Sequence, residues 1–377
     1  MSIAWHSEDN ELFLNPRLPL ETSERYLRAW KTHTQNLQGQ IGIATSGSTG
    51  EMGRLILLSK SAILASAAAV NQRLQSNHRD IWLKTLPSFH VGGLGILARA
   101  HLSGARVVEV SDRRWDPAVF HADLQASKAT QVSLVPTQLF DLVQANLAAP
   151  KSLRAAVIGG GACAEDLLRR AHALGWPALP SYGMTECCSQ IATALLPKDP
   201  RMIPLPHVLV RIGHGDRIEI QSASLMTGQI VFSKDGERFE DPKVEGWFAA
   251  EDRGRLLPDG SLEVLGRTAD FVKIGGEGVV VSRLETRLEE LKLALGYRHD
   301  AAILSVGDDR LGARIDLVTN HFGAETDLLV SRFNDSVLPF ERIRKVHSVS
   351  EVPRSPLGKL LRGPALSLVS LELSADL

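Results

Sequence analysis

Cysteine is scarce: the 377 residues hold three, Cys163, Cys187 and Cys188, and no Cys-x-x-Cys spacing occurs. Neighbours in sequence rarely bridge, so the thiols read as reduced, in a cytoplasmic protein without a cysteine-built metal centre. An excess of charge of either sign is also lacking. Lys and Arg number 42 and Asp and Glu 43, a formal net charge of −1. That balance points to neither nucleic acid nor an anionic membrane as partner. Long apolar runs are missing as well. The longest, residues 62–70, is mostly alanine and far too short to span a bilayer. The opening Met-Ser-Ile-Ala-Trp-His has neither the basic nor the apolar region of a secretory signal. Repeats and low-complexity segments are not apparent. What remains is 44% hydrophobic and 23% charged, values usual for a globular chain. At this length one core is rarely enough, so two domains are expected.

The most distinctive stretch is residues 41–54, IGIATSGSTGEMGR. An apolar run turns into six small or hydroxylated residues: Thr45, Ser46, Gly47, Ser48, Thr49 and Gly50. Small side chains let backbone approach a ligand, and glycine permits conformations that aim N–H groups into one concavity. Such a loop suits phosphate, although composition alone equally describes a Ser/Gly turn between strands. It is not the kinase and GTPase P-loop. Five residues separate Gly47 from Gly53, and Arg54-Leu55 follows where Lys and Ser or Thr would be needed. Residues 55–58 read as a second strand, which makes the loop hairpin-like.

Downstream, strand-like and helix-like runs alternate. Helices are predicted over 21–34, 60–75, 93–102, 117–126, 137–147 and 165–174, with Ser59 as an N-cap. Strands are predicted over 80–86, 105–110, 130–135 and 154–158. The alternation argues an α/β layer architecture with a largely parallel sheet, whose ligands sit beyond the carboxyl ends of strands. Three segments fall at such ends: 87–90 (PSFH), 159–161 (GGG) and 181–186 (SYGMTE). From Arg217 short strands and Gly/Asp turns suggest a smaller β subdomain. After Gly266 a compact α+β domain is expected, with a Ser282-to-Glu285 capping box and an apolar face at Leu284, Leu288, Leu291 and Leu295 stopped by Gly296. The boundary is placed at 267/268, giving domains 1–267 and 268–377.

Taken in order, Thr45 to Gly50, 87–90, 159–161, 182–186, Asp252 in EDRG, Gly266-Arg267 with KIGGE at 273–277, and PRSPLGK at 353–359 form a series. The series resembles the adenylate-forming superfamily of acyl-CoA synthetases, luciferases and peptide-synthetase adenylation domains, over roughly residues 41–363. Within it the likeness is strongest to the o-succinylbenzoate–CoA ligases. It is carried by FHVGG at 89–93 with Arg99, SLVPTQL at 133–139, EGWFA at 245–249 and GGEG at 275–278.

The resemblance implies an α/β fold with a large N-terminal domain and a small mobile C-terminal one. It implies ATP, Mg²⁺ and coenzyme A as cofactor and co-substrates, and a carboxylic acid joined first to AMP and then to the thiol. The 45–50 loop would hold the β- and γ-phosphates. Glu186 would hold the metal, and Thr185 the α-phosphate. Tyr182 and Gly183 with Gly159, Gly160 and Gly161 would line the adenine pocket. Asp252 would accept from the ribose hydroxyls, with Arg267 nearby. Lys359 would bridge the attacking carboxylate and the α-phosphate. By composition alone it is one more cation in a basic tail with Arg354 and Arg362. His90 would gate the acyl pocket, which Thr137, Gly160 and Ser181 would share. Arg99 would meet a second carboxylate on the substrate, an ordinary salt bridge being the competing reading. Lys273, Gly275 and Gly276 would face coenzyme A.

Three departures stand out. The lysine usual late in the phosphate loop is absent, with Arg54 the nearest cation. Ala269 stands where the hinge usually has Asp or Lys. The segment before the loop is short. Two other readings stay open: an aryl- or acyl-CoA ligase of different substrate, including one that loads a carrier protein, and a nucleotide-binding regulator without turnover. A homodimer is compatible with either.

Overall fold

The structure, a computed structural model, describes residues 3–45, 53–110, 115–233, 236–267, 270–275, 277–308, 310–355, 358 and 360–375. The strands Gln40–Ala44 and Leu55–Ser59 are antiparallel, with Ile41 opposite Leu58. They sit in a five-stranded sheet with Glu11–Phe13, Gly228–Ser233 and Gly236–Glu240. Both central strands are buried on two faces, which is why they read as unbroken apolar runs instead of alternating ones. Gly42 is required there. A Cβ on it would lie 2.6 Å from the Trp30 ring of the Leu20–His33 helix packed against the sheet. The next helix, Lys60–Leu74, starts on the predicted cap: Ser59 Oγ accepts from the amide of Ala62 at 3.1 Å.

A second sheet has eleven strands. One wing is parallel, in the spatial order Arg106–Glu109, Ile81–Lys84, Gln131–Leu134, Ala155–Ile158, Ala178–Met184. Helices Val91–Ser103, Pro117–Ser127, Pro136–Gln144 and Glu165–Ala173 connect these strands. At Ala178–Met184 the sense changes, because Ser189–Ala194 returns antiparallel after a tight turn. The sheet then continues through Met202–Pro204, Leu262–Arg267, Phe248–Leu256, Arg217–Ser222 and Val208–Ile212. The β region set apart in the sequence is therefore split: Arg217–Ser222, Phe248–Leu256 and Leu262–Arg267 form the antiparallel wing of this sheet, while Gly228–Ser233 and Gly236–Glu240 belong to the five-stranded one.

Beyond residue 270 the chain forms a hairpin (Phe271–Ile274, Glu277–Val280), the helix Val281–Leu295 and a sheet of Ala301–Asp308, Gly312–Thr319 and Ile343–Ser348. Its own core gathers Leu284, Leu288, Ile303, Ile315, Leu317 and Phe333. Two local expectations fail. Ser282 is not an N-cap: the helix begins at Val281, and no side chain caps it. Glu285, the supposed reciprocal partner, instead takes Arg362 at 2.7 Å. Leu295 is exposed, while Leu293 is buried against the N-terminal region, because the helix has apolar neighbours on two sides. Among the described residues no helix is long and apolar enough to cross a membrane.

Candidate active site

Four chain segments meet where the parallel strands end. They follow Lys84, Leu134, Ile158 and Met184. The glycine triplet opens the segment after Ile158, with Gly160 and Gly161 exposed. A Cβ at Gly159 would lie 2.9 Å from Ser181 Oγ, Gly160 has φ +83, and Gly161 faces Pro136 at 3.7 Å. Ser181 Oγ donates to the Ile158 carbonyl at 3.1 Å, which ties the triplet to the next strand. Gly183 is tighter still, since a Cβ there would sit 1.8 Å from the Ser189 carbonyl oxygen. A bulge between Tyr182 and Gly183 shifts the register against Ser189–Ala194 at this point, a device that re-aims side chains at a sheet margin.

The re-aimed side chain is Tyr182. Its hydroxyl donates to Asp252 Oδ2 at 2.8 Å. Burial and the Asp252 carboxylate both push the phenol well above its usual range. Asp252 faces Arg267 on the adjacent strand, and the guanidinium Nε is 3.5 Å from Asp252 Oδ1. The neighbouring arginines do not compete: Arg253 pairs with Asp216, and Arg255 with Glu263. Arg267 is thus the cation beside Asp252.

Glu186 lies on the one-turn Thr185–Cys187 helix, fixed by the Cys188 amide on the Thr185 carbonyl (3.1 Å) and the Met226 amide on the Glu186 carbonyl (2.8 Å). The two following residues, Cys188 and Ser189, both have positive φ, 53° and 102°. For residues other than glycine that is sparsely populated backbone, held here by its surroundings. Burial raises the Glu186 carboxyl, against the opposing pull of Arg54 and Arg267. A carboxylate raised by burial lacks sufficient compensating charge, and a hard divalent cation with oxygen preference would supply it. The residues present therefore fit Mg²⁺. Beside it, Arg54 is bonded to Glu251. Burial alone would push Glu251 up, but the Arg54 contact holds its carboxyl below the usual range. Thr45 closes the loop base, its amide donating to the Arg54 carbonyl at 2.8 Å. Ser46, Gly47, Ser48, Thr49 and Gly50 lie outside the described residues, as do Ala269, Gly276 and Lys359.

His90 immediately precedes the helix Val91–Ser103, where Gly93 is compelled: its Cβ would fall 2.2 Å from the Pro87 carbonyl. The imidazole Nε2 is buried without a partner, and burial lowers its pKa. Arg99, on the same helix, is 2% exposed. No carboxylate among the described residues pairs with it, so the salt-bridge reading fails. Its Nη2 donates to Ser189 Oγ at 3.3 Å, its Cζ lies 5.6 Å from the Trp82 ring centre, and its Nε has no partner. Burial pulls the guanidinium down to about 10. A buried cation with an unsatisfied N–H is expensive on its own. Nothing local in the sequence marked Trp82 or Ser189 as its neighbours, or Glu251 as the partner of Arg54.

The C-terminal lobe reaches this region. In the turn ending at Leu361, Arg354 makes a two-pronged contact with Asp300 (2.7 and 2.6 Å) and donates to the Gly358 carbonyl at 3.0 Å. Gly358, φ +74, meets Thr137 so closely that a Cβ would stand 2.7 Å from Thr137 Oγ1. Arg362 is paired with Asp270 (2.8 Å) and Glu285. Arg354 and Arg362 are thus structural ion pairs and not a solvated basic tail. Lys273 and Gly275 belong to the hairpin packed on their own lobe, with the Gly275 amide on the Leu311 carbonyl at 2.8 Å.

Residues 42–235 match the family model described as AMP-binding enzyme. The 2-succinylbenzoate–CoA ligase of Bacillus cereus is 30% identical over 351 residues, covering 87% of this chain and 69% of the relative. That of Bacillus cytotoxicus is 29% identical over 343 residues, covering 85% and 68%. Among solved structures, the o-succinylbenzoate CoA synthetase of Bacillus subtilis with its acyl-adenylate intermediate superposes with a TM-score of 0.73 at 25% identity, covering 85% of this chain and 68% of that one. The same enzyme with ATP and magnesium ion gives 0.71 at 25% identity, with the same coverage. With the glycine cradle, the Tyr182–Asp252–Arg267 group and the half-buried Glu186 in one place, these matches establish that the chain belongs to the AMP-binding enzyme family.

Proposed function

We propose that this chain ligates o-succinylbenzoate to coenzyme A by way of an acyl-adenylate. One carboxylate of the acid attacks the α-phosphorus of ATP, pyrophosphate leaves, and the thiol then displaces AMP. Two anions must be brought together in the first step, so electrostatic stabilisation is the largest demand on the protein. Asp252 receives the ribose hydroxyls beside Tyr182 and Arg267. Gly159, Gly160 and Gly161 admit adenine against backbone. Thr185 bonds the α-phosphate, and the 45–50 loop holds the departing phosphates. Glu186 would hold Mg²⁺, which would supply positive charge against the phosphates. Lys359 supplies the ammonium between carboxylate and α-phosphate, as a compact point charge.

The observation that carries this reading is the contact of Gly358 with Thr137. It sets the residue before Lys359 in sequence against the helix that opens the acyl pocket. Arg99 adds the substrate class. Among the described residues its buried guanidinium has an unpaired Nε and no carboxylate partner, which suits an acid with a second carboxylate. His90, Thr137, Gly160 and Ser181 complete that pocket. The 267/268 boundary is the pivot about which Lys273, Gly275 and Gly276 turn towards coenzyme A in the second step. The ligase acts in the cytoplasm, and a homodimer is the assembly to test by sedimentation. The decisive experiment is exchange of labelled pyrophosphate into ATP. Exchange that depends on o-succinylbenzoate supports the proposal. Equal exchange with benzoate or fatty acids overturns the substrate.

A further inference from the structure

Two loops at one end of the C-terminal sheet bring His299, His321 and Glu325 together, their ligand atoms all within 4.8 Å of one another. Among the described residues this is the one such group of three. We propose that it binds a divalent transition metal of the zinc class, separately from the Mg·ATP centre.

The topology explains the meeting. Ala301 pairs with Thr319 across antiparallel strands, so the chain entering the first and the chain leaving the second emerge side by side. His299 lies on the entering loop. His321 lies on the leaving loop, and Glu325 follows in the first turn of the helix Ala324–Ser336. The loops are locked together: the Asp300 amide donates to Asn320 Oδ1 at 2.9 Å, and the Asn320 amide to the Asp300 carbonyl at 3.1 Å. Thr326 Oγ1 donates to the His321 carbonyl at 3.0 Å. Tyr297 forms a wall, its ring edge-on to His299 at 5.5 Å and its hydroxyl 3.0 Å from the hydroxyls of Thr319 and Thr326. These bonds hold the two loops that carry the histidines in register.

The two imidazoles are stacked, 3.7 Å apart and 8° from parallel, and His299 Nε2 lies 3.4 Å from Glu325 Oε2. Ring lone pairs lie in the ring planes, so parallel rings do not converge on one ion. A turn about the broad, two-fold terminal torsion of one histidine is needed. Two nitrogens and one carboxylate oxygen suit zinc, nickel or copper and disfavour Mg²⁺. Three protein ligands leave a fourth position for water. The site also adjoins Asp300, whose carboxylate holds Arg354. A bound ion would brace the loop that carries this anchor.

The test is calorimetric titration of the full chain with Zn²⁺, alongside Co²⁺ absorption spectroscopy. One equivalent of Zn²⁺ should bind in the presence of excess Mg²⁺. Loss of a supporting group commonly costs about 10- to 100-fold in metal affinity. His321→Ala and the milder, exposed Glu325→Gln should each weaken binding at least about 10-fold, with Mg·ATP-dependent turnover retained in zinc-free buffer. Cobalt should give d–d bands without sulfur-to-metal charge transfer. Absence of zinc binding overturns the proposal. So does undiminished binding in both variants, or a charge-transfer band that assigns the ion to a cysteine.

Discussion

The Tyr182 hydroxyl reaches Asp252 Oδ2 over 2.8 Å, joining residues 70 apart in sequence across the point where the sheet changes from parallel to antiparallel. The bond fixes the carboxylate that the proposed ribose contact needs. A hydrogen bond to a charged group is worth about 1.5–3 kcal/mol. Tyr182→Phe should therefore raise KM for ATP roughly 10-fold or more. KM for the acid should stay near the parent value. Pyrophosphate exchange at varied ATP measures both, and an unchanged KM for ATP would detach Tyr182 from nucleotide binding.

Arg99 offers a second, independent readout. Removing it as Arg99→Ala should raise KM for o-succinylbenzoate far more than KM for ATP. Arg99→Lys should rescue only part of the loss, because lysine cannot reproduce the planar fork beside Trp82 and Ser189. Equal effects on both KM values would make the residue a fold element.

Gly183 is a packing prediction. Its missing side chain leaves room for the Ser189 carbonyl, 1.8 Å from where a Cβ would lie. Gly183→Ala must displace backbone next to Thr185 and Glu186. Thermal unfolding should show a lower Tm, and the remaining folded enzyme should adenylate poorly. A variant with parent Tm and rate would contradict the packing.

Glu186 gives a pH dependence. Burial raises its carboxyl above the value in the unfolded chain. For an acid shifted upward, the native state holds the proton more tightly, so this contribution is complete below the unfolded value. It is lost as pH rises through the folded one. Glu186→Gln should thus raise Tm at neutral pH without Mg²⁺, while abolishing Mg²⁺-dependent adenylation. Differential scanning calorimetry across pH checks the first part. A lower Tm for the glutamine variant at neutral pH would overturn the linkage.

The last prediction concerns the C-terminal turn. Arg354→Ala removes both its bonds to Asp300 and its bond to Gly358. Adenylation should slow by about 10-fold or more if an anchor of about 1.5–3 kcal/mol orders that turn. Thioester formation from preformed acyl-adenylate should persist, as it should in Lys359→Ala. Parallel loss of both half-reactions would assign Arg354 to general stability.

Much of the molecule is legible along the chain. Buried strands announce themselves as apolar runs, and Ser59 announces a helix start because its hydroxyl can satisfy the Ala62 amide locally. Gly159 and Gly183 mark close approach, and Gly160 a left-handed backbone turn. The Ser282 capping pattern misled because the preceding hairpin already delivers the chain in helical register at Val281. A four-residue local pattern cannot outweigh the ion pair that draws Glu285 to Arg362.

The sequence by itself settled the alternation of strands and helices, the order of the motifs and the residue types at the strand ends. All of these are written in nearest neighbours and short periods. Only the tertiary structure decided which charges meet: Asp252 with Tyr182 and Arg267, Arg54 with Glu251, and Arg99 with no carboxylate among the described residues. It alone brought Gly358 against Thr137 and stacked His299 on His321. Such pairings depend on sheet order and register, which follow from burying whole faces at once. No short stretch of chain carries that information.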